Sequence, residues 1–181
     1  MAVSGERAIR LDALKTGSFD HYVNYAYLGT LAIGESGHIN SSESLRAEQI
    51  LLYRLYKVGM ILQDAGFRNA ILDTVVDISF LKDENGKHQL PDLRLYTEYP
   101  NPRGAPKLCI VDLHVSLVDA DDLSTDKFPN QFVKDMLKRM VEKCDVKSEH
   151  GSFRGQPLRK CDYHEHSDGV ICEDAEADAG S

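Results

Sequence analysis

Gly17-Ser18-Phe19-Asp20-His21-Tyr22-Val23-Asn24-Tyr25-Ala26-Tyr27-Leu28-Gly29 reads as one amphipathic helix that carries its own stop. Phe19, Tyr22, Val23, Ala26 and Tyr27 recur at i, i+3, i+4, i+7 and i+8, the spacing that gathers side chains on one face of an α-helix. Ser18 stands where an N-cap would accept a backbone N–H, and Gly29 where a helix reverses into the left-handed region. Upstream, Ala8-Ile9-Arg10-Leu11 alternates like a strand, and Leu31-Ala32-Ile33 is the sole nearby segment that could pair with it. A strand without a ladder leaves its N–H and C=O groups unsatisfied, so the pattern allows at most a short residual strand in a mainly α protein.

Downstream, the Ser-, Gly- and Asn-bearing stretch 35–43 reads as a loop, and Leu45–Gln63 follows as a helix. Leu51, Leu55, Val58 and Leu62 line one face while Leu52, Tyr56 and Ile61 occupy others, which predicts a central helix, apolar nearly all round. Asp64-Ala65-Gly66 breaks it, and Phe67, Ala70, Ile71, Val75 and Ile78 resume helical spacing, so the two helices are expected to form a hairpin. Asp83-Glu84-Asn85-Gly86 signals a turn, and Pro91 is expected to open a short helix through Tyr99. Pro100, Pro102 and Pro106 predict a connection before an apolar helix at Leu108–Val118. Pro129 then opens a last helix whose stripe is Phe132, Val133, Met136, Leu137, Met140 and Val141. The expected organisation is a unit over 1–82, a helical extension over 83–146, and a polar acidic tail over 147–181 that is disordered in isolation.

The chain has 181 residues, 42% of them hydrophobic, enough for one domain with a real core. Its net charge of −8 is lopsided: all 21 Lys and Arg but only 22 of the 29 acidic residues lie within 1–160, which leaves that body at −1. A nearly neutral body lacks the basic footprint that phosphate backbones and anionic lipid require, so no nucleic-acid or membrane partner is expected. The Tyr-rich helix 22–27 is accordingly assigned to core packing rather than base stacking. Neither an apolar span nor a signal-peptide pattern is evident, and the four cysteines do not suggest a disulfide framework. These features point to reduced thiols in cytoplasm or nucleus.

Few residues offer chemistry. Cys161-x2-His164-x-His166-x5-Cys172 supplies four zinc-binding side chains within twelve residues, a tighter cluster than the usual two ligand pairs separated by a loop. No cofactor is expected, with zinc as the alternative. Asp112 and His114, two apart on a helix, point to different faces and lack a third member, so His114 is read as satisfied by its own helix or by solvent. Asp73 and Asp77 share a face at i, i+4 and are read as a solvated edge. Asp119, Asp121 and Asp122 lack the Gly and distal Glu of a calcium loop and read as a helix-ending turn.

The order of Ala8-Ile9-Arg10-Leu11, Phe19-x-x-Tyr22-Val23-x-Tyr25-x-Tyr27-x-Gly29, Leu51-Leu52-x-x-Leu55-Tyr56-x-Val58-Gly59 and Phe67-Arg68-Asn69-Ala70-Ile71-Leu72-Asp73 resembles the C-terminal part of a BTB/POZ domain. Phe128-Pro129-x-x-Phe132-Val133-x-Asp135-Met136 and Cys161-Asp162-Tyr163-His164-Glu165-His166 resemble the extension and tail of the BTB-like proteins of filamentous fungi. The family's N-terminal strands and dimerising helix would precede Met1, so the resemblance implies a truncated domain. It also implies a non-enzymatic protein–protein interaction module that self-associates or recruits a cullin-type ubiquitin-ligase scaffold, with Asn24, Tyr27 and Gly29 at the partner-facing helix end. The alternatives are a zinc-binding regulatory protein built on the Cys/His tail, an enzyme of unrecognised type, and a degenerate BTB fragment without function.

Overall fold

The computed structural model describes residues 16–31, 33, 41–98, 104–118, 128–145 and 158–166. The expected strand at 8–11, the acidic run 119–122 and Cys172 lie outside the described residues. Within them the protein is mainly α, with six α-helices and no strand: α1 (Thr16–Leu28), α2 (Ser42–Leu62), α3 (Ala65–Phe80), α4 (Arg94–Thr97), α5 (Ala105–Leu117) and α6 (Asn130–Asp145). No described helix is long and apolar enough to cross a membrane.

The expected hairpin is formed by α2 and α3, and its corner is built by two caps. Gln63 turns into the left-handed region at φ 57° and donates its N–H back to Gly59 and Met60, and the Asp64 side chain then accepts from Phe67 N to open α3. Gly59 allows the close approach: a Cβ there would lie 2.8 Å from Arg68 Cγ and 3.1 Å from Phe67 Cδ1. α2 buries side chains on several faces, as its all-round apolar pattern requires, while α5 is buried at every position from Cys109 to Ser116. α3 packs on both, so one buried cluster runs from Leu45 through Phe67 and Ile110 to Phe132.

Several local expectations are corrected. α1 starts at Thr16, so Ser18 is a buried residue inside the helix rather than its cap. Of the expected face only Tyr22 packs on the core, joined by Tyr25 from outside that face; their rings meet Phe67 at 5.0 and 4.9 Å, and Tyr27 projects outward. Pro91 lies before α4, which is one turn long, and Pro106 sits in the first turn of α5, where its missing N–H costs nothing. Only two of the six residues of the α6 stripe are fully buried: Phe132 and Met136 insert under α5, Val133 and Met140 are half-buried, and Leu137 and Val141 stay exposed.

The tail expected to be disordered contains an ordered piece. Residues 158–166 include a 3₁₀ turn, Lys160–Tyr163, that packs against both α3 and α5 and brings the Tyr163 ring into the core. An aromatic buried this fully supplies the apolar area that the surrounding polar composition hides.

Candidate functional site

The largest concentration of polar contacts lies where the 158–166 strap crosses α3. Asn69, Asp73 and Asp77 fall at i, i+4 and i+8 and so form one row along that helix. Each holds one residue of the strap. Asn69 Nδ2 donates to the Glu165 carbonyl at 3.1 Å, and Glu165 N–H donates to Asn69 Oδ1 at 2.8 Å. His164 Nε2 lies 2.7 Å from Asp73 Oδ1, and Lys160 Nζ donates to Asp77 Oδ2 at 2.8 Å. The strap therefore runs antiparallel to α3. The Glu165 carboxylate also takes a hydrogen bond from Tyr56 Oη and an ion pair from Arg68, whose other amino group donates to the Gly59 carbonyl at 3.0 Å.

Beneath the strap, Asp112 is 1% exposed, and its carboxylate is compensated: Arg139 grips both its oxygens at 2.6 and 2.9 Å and Tyr163 Oη donates to Oδ2 at 2.9 Å. A buried carboxylate needs such a complement of donors. Hydrogen bonding to Asp112 raises the Arg139 pKa, and burial with the adjacent carboxylate raises that of Tyr163.

Among the residues singled out for metal binding, Cys161, His164 and His166 come together, with one ligand atom from each lying within 4.8 Å of the others. Cys161 is a free thiol, and its Sγ is 3.6 Å from His166 Nε2. The residues singled out for partner binding lie at the far end of α1. Asn24 is exposed, Tyr27 is 85% and Leu28 67% exposed, and Gly29 closes the helix at φ 71°, donating its N–H to the Tyr25 carbonyl at 2.8 Å.

His114 is buried with Nδ1 2.8 Å from the Ile110 carbonyl, and burial holds its pKa down to about 4. In the groove between α2 and α4, Tyr53 and Lys57 hydrogen-bond to Glu98, while Arg94 lies over the Tyr53 ring at 4.7 Å. Those contacts raise Lys57 and lower Glu98, keeping both charged, which is the reverse of an activated base or acid. Burial likewise pushes the Cys109 thiol up, away from the thiolate.

No protein-family model matches the chain, and neither does any curated protein or solved structure.

The strap escaped the sequence reading. Its one legible signal was the Asp73/Asp77 pair: read as a solvated edge, it is half of a docking row that Asn69 completes. Nothing local in 158–166 names a partner on a helix some ninety residues earlier.

Proposed function

We propose that the chain is a non-enzymatic protein–protein interaction module of BTB/POZ type whose partner-facing point is the C-terminal turn of α1. The observation that carries this reading is Tyr27 at 85% and Leu28 at 67% exposure, two adjacent large apolar side chains beside Asn24 and Gly29. Amphipathic aromatics with few rotatable bonds are favoured contact residues. The succession of α1, the α2–α3 hairpin and the later helices supports the BTB reading by its order.

The partner class is a second copy of the chain or a cullin-type scaffold. Light scattering over a concentration series, together with binding to an immobilised cullin N-terminal domain, tests both. Concentration-dependent dimerisation or saturable cullin binding is expected, weakened at least tenfold in Tyr27→Ser/Leu28→Ser with an unchanged circular dichroism spectrum. A monomer at every concentration that ignores the cullin domain would overturn the reading, as would a double variant that binds like the parent.

A further inference from the structure

Cys161 is the second residue of the 3₁₀ turn Lys160–Tyr163, and His164 closes that turn, donating its N–H to the Cys161 carbonyl at 3.2 Å. The His164 and His166 rings lie on the same side of the strap, their centroids 5.9 Å apart. The Cys-x2-His-x-His sequence thus brings one sulfur and two imidazoles into one cluster.

Two observations separate this cluster from a chance grouping. Zinc takes sulfur at about 2.3 Å and imidazole nitrogen at about 2.0–2.1 Å, so tetrahedral angles require an S···N separation of about 3.6 Å. Cys161 Sγ and His166 Nε2 lie 3.6 Å apart. The second observation is Asp73. A carboxylate only accepts, so His164 Nε2 carries the proton shared with Asp73 at 2.7 Å, and Nδ1 is the nitrogen this residue would bring to an ion. A metal-bound histidine held by a carboxylate through its other nitrogen is the arrangement that fixes ring orientation and raises ligand basicity. One ligand atom from each of the three side chains lies within 4.8 Å of the others, with Cys161 and His164 half-buried and His166 exposed.

We infer that Cys161, His164 and His166 bind one zinc ion, with Asp73 as the positioning residue, and that this ion locks the strap to α3. The donor set selects the metal class: one thiolate and two imidazoles suit zinc, whereas calcium and magnesium take oxygen ligands. This site is independent of the α1 turn, and its test does not depend on any protein partner.

The test uses the full chain, freed of metal by a chelator and kept reduced, titrated with cobalt(II) and then zinc while absorbance is followed. One equivalent of cobalt is expected to produce a thiolate charge-transfer band and tetrahedral d–d bands, both displaced by one equivalent of zinc. Cys161→Ser is expected to lose the charge-transfer band. His166→Ala, at an exposed position where folding is not at risk, is expected to lose high-affinity binding. Asp73→Asn, which leaves every ligand in place, is expected to weaken binding 10- to 100-fold. The inference is overturned if one equivalent of cobalt leaves the spectrum unchanged, if the thiolate band persists in Cys161→Ser, or if His166→Ala binds as the parent does.

Discussion

Asp112 and His114 lie two residues apart on α5, buried from Cys109 to Ser116, and answer burial in different ways. Asp112 is met by three donors from Arg139 and Tyr163. Asp112→Asn breaks the bidentate pair and leaves a cation short of its partner. With Arg139 partly exposed, the expected cost is about 2–4 kcal/mol, read as a fall in the urea midpoint. Tyr163→Phe keeps the ring and removes one hydrogen bond to a charged group, for an expected loss of about 1.5–3 kcal/mol. His114 instead stays neutral between Phe132 and Phe128, at ring separations of 4.9 and 5.9 Å. It binds a proton at about pH 4 when folded and, like an ordinary histidine, at about 6.5 when unfolded. Between those values the unfolded chain holds more protons, so the stabilisation is complete above about pH 6.5 and drains away as pH falls towards 4. Up to about 3 kcal/mol is expected to disappear across that window. His114→Phe is expected to flatten this part of a stability–pH profile.

At the scale of elements, α2 and α3 approach so closely at Gly59 that a methyl group would press on Arg68 and Phe67. Gly59→Ala gains about 1 kcal/mol of helix propensity but overpacks a contact worth about 1–3 kcal/mol, and it displaces the Arg68 that holds Glu165. Net destabilisation, with faster amide exchange across 158–166 than in the rest of the chain, is the expected outcome. Most helices were legible because their periodicity and stops are local: Gly29, Asp64 and Pro129 punctuate the chain where the elements change. Less legible was how much of each apolar face would find a neighbour. Leu137 and Val141 continue the α6 stripe in sequence, but they stay exposed although Met136 beside them is buried. Tyr27 continues the α1 stripe one turn beyond Phe67. Periodicity describes one helix, whereas burial depends on the length and angle of another.

For the whole molecule, the strap joins halves that the sequence reading kept apart, since Tyr163 belongs to the same buried cluster as Phe67 and Phe132. A chain ending at residue 157 would lose that ring and uncover Asp112. Its expected penalty is about 3–5 kcal/mol from the aromatic alone, seen as a lower thermal midpoint and rapid proteolysis. The Cys/His cluster was legible as a set of residue types, and its gathering was not: His164 is oriented by an aspartate 91 residues earlier in the chain. Cys109, Asp112 and His114 show the same limit, for no spacing rule announces which side chains a later segment will cover. Because the strap is reached so late, the order of synthesis acquires a consequence. The α2–α3 hairpin and α5 leave the ribosome with Asn69, Asp73 and Asp112 already in place and their counterparts still unmade. Until residue 166 has emerged, the nascent protein holds a carboxylate, an open row of acceptors and a hollow the size of a phenol ring, a set of exposed features that a chaperone could recognise and that disappears when the last turn docks.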